Sequence, residues 1–437
     1  MAEQISDPPA TSHHRLATWL CGFVLLFGVG ITGARVLVQY QPPGPFDPSR
    51  QGYCDFHNGI YFPSLAWLRG VSPYGQAYAA EYPVARSVPF FSPAIFVLHA
   101  PLSLLPLHLA EATYFAFSIV VVLATARLVS RAAGAPPHLL LSSTLAIAAG
   151  MVFSRGGHIT LFDGYFTLLL IWGTFVAIHF AQDRPWLAAF GLLLASAKPT
   201  YILPLGLLML ARGNIRALLF GAGLSIVMAG IGFGWIAYHE GEGDVAAGMQ
   251  AIGQQISETQ AIHRAEEDES PVHSWTRLDL LAVVAKWMGK EPADMAHLVV
   301  MAGLILPPCF VLGWRRRRGI DDGLGGVTGA IIVTAMLVSL YHQSYDALLM
   351  VAPVAGLVIC RQPGWQQLPE LVRWSLTLLM LVPAYNYLST RMVLNRLPVN
   401  DTVVQVLTSL NGIALAVVLL LVCIHGLRQR PARRSAE

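Results

Sequence analysis

Long apolar runs, separated by short polar segments, follow one another along most of the chain. A helix needs roughly 20 apolar residues to cross the hydrocarbon of a bilayer. Runs approaching that length lie at 16–39, 110–131, 136–153, 159–180, 217–238, 295–314, 324–341, 343–360, 370–390 and 403–427. Shorter runs at 186–197 and 200–211 flank Lys198, and another at 93–107 is interrupted by prolines. The pattern predicts an all-α polytopic membrane protein with about 10 to 13 spanning helices, the first retained as an anchor.

Two polar stretches are long enough to form ordered loops between the spans. The first, 40–92, reads as a short helix over 56–69 followed by the turn "GVSPYG" and a proline-rich return. The second, 239–294, contains "LDLLAVVAKWM" at 278–288, an apolar face with Lys286 opposite, which is typical of a helix lying along a membrane surface. Both loops are shorter than an ordinary soluble domain. We therefore predict one membrane domain over 1–437, capped by these loops, with a short tail at 428–437.

Arginines mark the loops that we expect on the cytoplasmic side of the membrane. They cluster at 212–216, at 315–318 and in the tail. The loops 40–92 and 239–294 then face the other side, and the second is acidic, with four consecutive carboxylates at 266–269. This arrangement predicts cytoplasmic N and C termini and a functional face outside. Of 28 Lys and Arg residues only Lys198, Lys286 and Lys290 are lysines, which is typical of a GC-rich genome and favours a bacterial cell membrane.

The composition agrees with a membrane protein and removes several function classes. The chain is 55% hydrophobic and 12% charged, with a mean hydropathy of +0.55, whereas a soluble domain carries about 25% charged residues. The net charge of +3 follows from the arginine-rich loops and does not indicate nucleic acid. No Walker A, GxGxxG, HExxH, GxSxG or CxxC pattern occurs, so nucleotide-driven transport, soluble-type hydrolysis and zinc proteolysis lack support. We predict neither a metal nor a cofactor.

The segment "GYCDFHNGIYF", 52–62, places Asp55 shortly after the first span and next to the start of the predicted helix. An aspartate there could cap the helix by accepting hydrogen bonds from free backbone N–H groups. It could also be a general base at the membrane surface. Aromatic residues crowd the same loop, as in an interfacial belt or in a groove for a lipid tail and a sugar. Candidate substrate contacts in this loop are His57, Asn58, Tyr61 and Tyr74.

Lys198 lies in "LLASAKPTYILP", directly before Pro199. A proline removes a helix hydrogen bond, and broken helices at membrane depth are tolerated where they line a polar cavity. The lysine and the helix start after it could bind a phosphate. The alternative, equally weighted, is a lysine whose long side chain reaches the membrane interface.

Three further segments contain polar residues near the apolar runs. "SRGGHITLFDGYF", 154–166, carries Arg155 and His158 as possible phosphate ligands, and Asp163, for which a paired or capping role is favoured. "SLYHQSYDALLMVAP" places His342 and Asp346 four residues apart, on one helix face, as an ion pair or as part of a site. A metal site there is weakly indicated, because no further ligands accompany them. "SPVHSWTRLD" adds His273 and Arg277 opposite the first loop.

The order of these motifs resembles a known family. "DFHNGIYFPSLAWLRGVSPY", "FFSPAIFVLHAPLSLLP", "GHITLFDGYFTLLL", "AKPTYILPLGLLMLARG" and "YHQSYDALLMVAP" are together similar to polyprenol-phosphate-sugar-dependent glycosyltransferases of the GT-C fold. The likeness is greatest to family 87, which includes mannosyltransferases acting on phosphatidylinositol mannosides. It runs over most of residues 16–360. It implies a GT-C-type helix bundle with helices in its extracytoplasmic loops.

The resemblance also implies roles for individual residues. Asp55 matches the family's catalytic base, and Lys198 corresponds to the lysine of its Lys-Pro motif. Arg155 and His158 are then expected as further ligands of the donor phosphate. His158 stands where relatives often carry glutamine, and Tyr345-Asp346 matches one of two alternative late motifs, with His342 just before it. The implied partners are a polyprenyl-phosphate sugar donor, a glycolipid or glycan acceptor and the bilayer. Substrate contacts outside the first loop are then expected from His342, Tyr345, Asp346, His273 and Arg277.

Two other functions remain open from the sequence. A transporter or flippase of lipid-linked saccharides would also need broken helices, intramembrane charges and an aromatic groove, although the two similar halves common in transporters are not found. A scaffold protein could use the acidic loop as a docking surface. Mannose is the first choice of donor sugar, with arabinose or glucose as alternatives.

Overall fold

The computed structural model describes residues 12–88, 91–265, 270–396 and 400–430. The carboxylates at 266–269 and the arginines after 430 lie outside these ranges. In the first half of the chain the α-helices are α1 Ser12–Val38, α2 Cys54–Phe56, α3 Phe62–Leu68, α4 Gln76–Glu81, α5 Ala94–Ser103, α6 Leu107–Ala132, α7 Leu140–Phe153, α8 Arg155–Asp163, α9 Thr167–Phe180, α10 Pro185–Ala195, α11 Pro199–Arg212 and α12 Ile215–Glu240.

The second half continues in the same way. Its α-helices are α13 Val245–Ala265, α14 Leu280–Met288, α15 Asp294–Arg317, α16 Val327–Ser339, α17 Val351–Ile359, α18 Pro363–Gln366, α19 Glu370–Tyr385, α20 Arg391–Leu394 and α21 Asp401–Arg428. A π-helix, His57–Tyr61, joins α2 to α3, and 3₁₀ turns precede α7 and α17 and follow α19. Within the described ranges the only β-pairing is two isolated bridges, Tyr40 with Gly52 and Arg277 with Gln343. The predicted all-α polytopic fold is confirmed.

Five helices in the described ranges are long and apolar enough to cross a membrane: α1, α6, α12, α15 and α21. The bent pair of α7 and α8, with an angle of 72°, could form a sixth span. Several shorter apolar helices, α5, α9, α10, α11, α16 and the segment Ser344–Ile359, lie beside them. Length and composition thus identify five or six spans, and the number of about 10 to 13 stays a prediction because it requires the shorter helices to cross as well.

The burial pattern of the helices separates a core from a lipid-facing layer. α16 is apolar and every one of its residues is buried, as expected for a helix surrounded by others. α1, by contrast, exposes large apolar side chains such as Trp19 and Leu37, each nearly four-fifths accessible. Such exposure is unfavourable in water and ordinary against lipid tails.

One predicted span is divided in the structure. The apolar run 159–180 contains the end of α8 at Asp163 and the start of α9 at Thr167. Gly164 between them has φ 74°, the left-handed conformation that commonly ends a helix. A Cβ at this glycine would lie 2.7 Å from the Cβ of Phe56, so α8 ends where it packs against the Asp55 segment.

The helices predicted in the two loops are present. The stretch 56–69 corresponds to α2, the π-helix and α3, which are continuous over 54–68. The stretch 278–288 forms α14, but the orientation of Lys286 differs from the prediction. Its side chain is buried and its Nζ donates to the Thr408 carbonyl of α21 at 3.3 Å, while Trp287 and Met288 are exposed. Burial lowers the pKa of Lys286 to about 8.

Loops from distant parts of the chain meet at two opposite ends of the bundle. At the end that we call the basic end, Arg212 forms an ion pair with Asp321, and Arg315 with Asp322. At the end that we call the site end, the Tyr53 N–H donates to Phe162, and the Leu278 N–H to His342. The helix axes between them fix which loops share an end, so the loops around 53, 163, 198, 277 and 342 form one face.

Candidate active site

Asp55 lies in the first turn of α2. The backbone just before it is held by the hydrogen bond from the Tyr53 N–H to the Phe162 carbonyl, 2.8 Å. Tyr53 has φ 66°, an uncommon conformation for a residue other than glycine, and such positions concentrate at functional sites. Tyr53 is the residue that precedes the helix, and α2 has no side-chain cap. The interpretation of Asp55 as a helix cap is therefore wrong.

The Asp55 carboxyl group has little compensation for its burial. Within the described residues it accepts one weak hydrogen bond, from the Cys54 thiol at 3.8 Å. Burial raises the pKa of Asp55 to about 6, although the charge of Arg86 and the thiol contact both oppose the rise. A carboxylate with a pKa just below neutral is ionised at pH 7 and still able to take a proton, which is the property of a general base.

A second carboxyl group, Asp163, lies close to Asp55. It is the last residue of α8, which packs against α2, and the charge of Asp55 acts on it. One oxygen, Oδ1, is buried without a hydrogen-bond partner in the described part of the chain. The expected paired or capping role is not seen. The sequence analysis missed this neighbour because 108 positions separate the two residues.

Lys198 lies at the predicted break between two helices. It precedes α11 with an extended backbone, φ −124° and ψ 116°, and Pro199 is the first helical residue. Its Nζ is 3.4 Å from Oδ2 of Asp346, and both side chains are buried. The equally weighted alternative, a lysine reaching the membrane interface, does not agree with this burial.

Asp346 is surrounded by hydrogen-bond donors. Besides Lys198, it accepts from the Tyr201 hydroxyl at 2.6 Å, from His342 Nδ1 at 3.0 Å and from the Gln343 N–H at 3.0 Å. The His342–Asp346 pair expected from their spacing is thus present. The other ring nitrogen, His342 Nε2, is buried and has no partner within the described ranges.

Aromatic rings connect the Lys198 cluster with the Asp55 segment. Lys198 Nζ lies 5.3 Å from the centroid of the Tyr345 ring, and Tyr345 is 5.4 Å from the ring of Tyr165. Tyr345 also interacts electrostatically with Asp55. At Gly156 a Cβ would lie 2.8 Å from the Tyr345 carbonyl oxygen, so the backbone of Tyr345 packs closely against α8. A carboxyl group, aromatic rings and a cation therefore occupy one face.

A second cation, Arg277, lies on the Lys198 side of these rings. Its guanidinium lies 4.9 Å from the centroid of the Tyr341 ring, and Lys198 Nζ lies 5.7 Å from the same centroid. Arg277 is buried and forms a two-point ion pair with Asp279, at 2.9 and 3.0 Å. The bridge to Gln343 holds its backbone beside the His342 loop. His273, predicted in the same segment, is exposed.

The other two predicted phosphate ligands contact different parts of the protein. Arg155 is buried and donates to the Asn386 carbonyl at 3.3 Å and to the Ser389 hydroxyl. His158 contacts α1 through the Thr32 hydroxyl at 3.2 Å and Arg35 at 2.5 Å. Their contacts with a donor phosphate stay predictions. The cation that shares the Tyr341 ring with Lys198 is Arg277.

The predicted contacts in the first loop hold that loop in place. His57 Nε2 lies 2.6 Å from Glu111 at the start of α6, a carboxylate that the sequence analysis did not single out. The Tyr61 and Tyr74 hydroxyls donate to the carbonyls of Leu105 and Phe91. Asn58 accepts from the Ala85 N–H at 2.9 Å and so positions the neighbouring Arg86, whose charge acts on Asp55.

Comparison with known proteins identifies the family to which the chain belongs. The sequence model described as glycosyltransferase family 87 matches residues 90–340, more than half of the 437-residue chain. The match includes Asp163, Lys198 and Arg277; Asp55 precedes it and Asp346 follows it. Searches of curated proteins and of solved structures gave no match. Among the described residues, no group of three or more His, Cys, Asp or Glu side chains is suited to a metal ion. The extent of the family match shows that the chain belongs to glycosyltransferase family 87.

Proposed function

We propose that this glycosyltransferase moves a sugar from a polyprenyl-phosphate donor to a hydroxyl of a lipid-linked or glycan acceptor, with inversion and with Asp55 as general base. The single observation that carries this assignment is the half-buried Asp55 carboxyl group, with a pKa of about 6 and one weak hydrogen bond, on the same face as buried Lys198. Mannose is proposed as the donor sugar on the resemblance of the motifs to family 87 mannosyltransferases.

In the proposed reaction the acceptor oxygen attacks the anomeric carbon from the side of Asp55. The bond between that carbon and the donor phosphate breaks, the hydroxyl proton passes to Asp55, and polyprenyl phosphate leaves with the bonding electrons. A single displacement of this kind inverts the anomeric configuration. The phosphate leaves as an anion, so one carboxylate is enough for the proton transfer.

Lys198 and Arg277 would stabilise the negative charge that develops on the leaving phosphate. Both cations lie within 6 Å of the centroid of the Tyr341 ring, at 5.7 Å for Lys198 and 4.9 Å for Arg277, so both are close to the proposed phosphate position. Fixed cations are most effective where water is excluded, because little reorganisation is needed during the reaction. His342, with its unpartnered Nε2, is a third donor to the phosphate when its imidazole is protonated.

Tyr165 and Tyr345 would form the wall against which the sugar ring lies. Aromatic faces suit the C–H surface of a pyranose, and these two rings lie between Asp55 and Lys198. Asp163 would accept a hydrogen bond from an acceptor hydroxyl through its free Oδ1. Asp163 would then orient the acceptor, while Asp55 removes the proton.

The proposed reaction takes place at the extracytoplasmic face of a bacterial cell membrane. The support is the separation of charge in the bundle, since the arginine-rich loops meet at the end opposite Asp55. Loops rich in arginine are retained in the cytoplasm, so the site end would face outward and both termini inward.

A transfer assay with a matched pair of variants tests the function. Wild type, Asp55→Asn and Asp47→Asn are purified into nanodiscs and given radiolabelled polyprenyl-phosphate mannose with a crude lipid extract. Asp47 lies in the same loop, and among the described residues its carboxylate accepts hydrogen bonds only from the N–H and the hydroxyl of Ser49. We expect labelled glycolipid with wild type and Asp47→Asn, and transfer slower by about 10²- to 10⁴-fold with Asp55→Asn.

Other outcomes assign the protein differently. Equal labelling by Asp55→Asn and wild type would remove Asp55 as the base. If no transfer occurs with polyprenyl-phosphate mannose, arabinose or glucose, but labelled donor crosses the bilayer, the protein is a transporter of lipid-linked sugar and the proposed chemistry is wrong.

A further inference from the structure

A cationic pocket of about 210 Å³ lies at the basic end of the bundle, on the opposite side from Asp55. It is formed by the last turns of α11 and α15 and by the loop that follows α15. Its polar lining consists of Gln182, Arg212, Arg315, Arg316, Asp321 and Thr328. The proposed transfer reaction uses none of these residues.

The charges in this pocket are only partly compensated. Arg212 forms a two-point ion pair with Asp321, at 2.8 and 3.1 Å. Arg315, which is 1% exposed, donates to Asp322 at 3.0 Å and to Thr328 at 3.3 Å, but its Nε has no partner in the described residues. Arg316 brings a further positive charge. The pocket therefore combines excess positive charge with a buried, unused N–H donor.

Arg316 is placed at the pocket by the close approach of its side chain to Gly213. The guanidinium group of Arg316 lies directly over the position that a Cβ at Gly213 would take. Gly213 itself has φ 94°, the conformation that ends α11. The neighbouring Arg317 is also exposed, but it does not line the pocket.

The surfaces of the two helices next to the pocket are apolar and exposed. On α11, Leu207 and Leu210 are each about half accessible, and on α15 Leu306 and Phe310 are about two-thirds accessible. The two helices touch at this level, where the Cys309 thiol lies 3.7 Å from the Leu207 carbonyl. An occupant of the pocket can therefore extend its apolar part along the seam between them.

We propose that this pocket binds the phosphate of an anionic phospholipid, with the acyl chains lying along α11 and α15. Guanidinium groups bind phosphate through paired, charge-assisted hydrogen bonds, and basic pockets between spanning helices suit anionic headgroups. The apolar seam distinguishes a lipid from free phosphate, because only a lipid would use both surfaces. The site is independent of the transfer reaction and would be occupied in the resting protein.

Binding is measured by native mass spectrometry and by thermal unfolding of the full chain in detergent. The probes are phosphatidylglycerol, phosphatidylcholine and inorganic phosphate. Arg316→Gln is compared with Arg317→Gln, which removes the same charge from the next position of α15. We expect wild type and Arg317→Gln to bind phosphatidylglycerol equally and above phosphatidylcholine, and Arg316→Gln to bind it about tenfold more weakly.

A second variant, Leu207→Gln, tests the apolar part at an exposed position on α11 and should weaken lipid binding without affecting any binding of phosphate. Equal affinity of the Arg316 and Arg317 variants, or equal binding of the two lipids, would overturn the site. Stabilisation by inorganic phosphate as large as that by phosphatidylglycerol would replace the lipid with a simple anion.

Discussion

Asp55 and Asp346 are carboxylates on the same face of the protein, and their surroundings differ in almost every respect. Asp346 is fully buried and receives four hydrogen bonds or ionic contacts, from Lys198, Tyr201, His342 and the Gln343 backbone. Asp55 is half-buried and, among the described residues, receives a single weak one. The sequence alone does not reveal how many hydrogen bonds each carboxylate accepts, because both residues are simply aspartates next to aromatic residues in the chain.

The difference indicates which carboxylate can change its protonation state. Each donor to Asp346 stabilises the ionised carboxylate. If a proton occupied the oxygen that accepts from a donor, that donor would lose its hydrogen bond. Asp346 therefore fixes the position of Lys198 and His342, and it is a positioning residue in the proposed reaction. Asp55 has few such partners to lose, so it can accept a proton with little rearrangement.

The largest expected difference between the two aspartates is the change in thermal stability when each is replaced by asparagine. In Asp346→Asn, buried Lys198 loses its counter-charge, and breaking a buried pair from one side costs about 3 to 5 kcal/mol. We expect a marked fall in the apparent midpoint of thermal unfolding in detergent. In Asp55→Asn we expect no fall, and above pH 6 a rise, because the variant no longer holds a half-buried negative charge.

The sign follows from the raised pKa of Asp55. Between the ordinary aspartate pKa of 3.8 and the raised pKa of about 6, the folded protein binds the proton more tightly than the unfolded chain does, so this favourable contribution is lost as the pH rises through 6. The double variant Lys198→Met, Asp346→Asn is the control for the ion pair. It should recover part of the stability lost in Asp346→Asn, and a midpoint as low as in the single variant would mean that Lys198 is not the group left unpaired.

Removal of the cation should reduce catalysis with a smaller loss of stability than in Asp346→Asn, because Asp346 keeps its hydrogen bonds from Tyr201, His342 and the Gln343 N–H. Lys198→Met takes away a positive charge next to the proposed phosphate position, and loss of one preorganised donor typically costs about 10²- to 10³-fold in kcat. Its matched control is Lys290→Met, an exposed lysine after α14. Initial rates at saturating donor give the result, and a variant that changes only KM for the donor would show uniform binding by Lys198, not stabilisation of the leaving phosphate.

The spanning helices could be predicted because the length of an apolar run is a local property. The runs around α1, α6, α12, α15 and α21 agree with the structure within a few residues. The prediction of one spanning helix over 159–180 was wrong, because α8 ends at Asp163 and α9 begins at Thr167. Hydropathy does not register the left-handed turn at Gly164, which ends α8 and brings Asp163 to the site face.

The surroundings of the site residues could not be read from the chain in the same way. Tyr201 and Lys198 reach Asp346 across 145 and 148 positions, and Glu111 reaches His57 across 54. Spacing reveals only partners a few residues apart, as it did for His342 and Asp346, although His342 precedes the 3₁₀ turn Ser344–Met350 and does not share a helix face with Asp346. The resemblance to a family suggested Asp55 and Lys198, but it contained no information about how strongly each was already bonded.

The smallest expected effect is a shift in the pH dependence of transfer, which tests which of the two aspartates titrates. If Asp55 is the base, kcat should rise about tenfold per pH unit below 6 and level off above it, because only the ionised carboxylate accepts the proton. Two charged groups act near Asp55: Arg86 lowers the pKa of Asp55, and Asp163 lies on the neighbouring helix α8.

Arg86→Gln should therefore move the rise in kcat to higher pH by a fraction of a unit to one unit, with the plateau retained. Asp346→Asn should leave the midpoint of the rise unchanged, since Asp346 is not the group that titrates. A midpoint that moves with Asp346 and not with Arg86 would exchange the roles of the two aspartates.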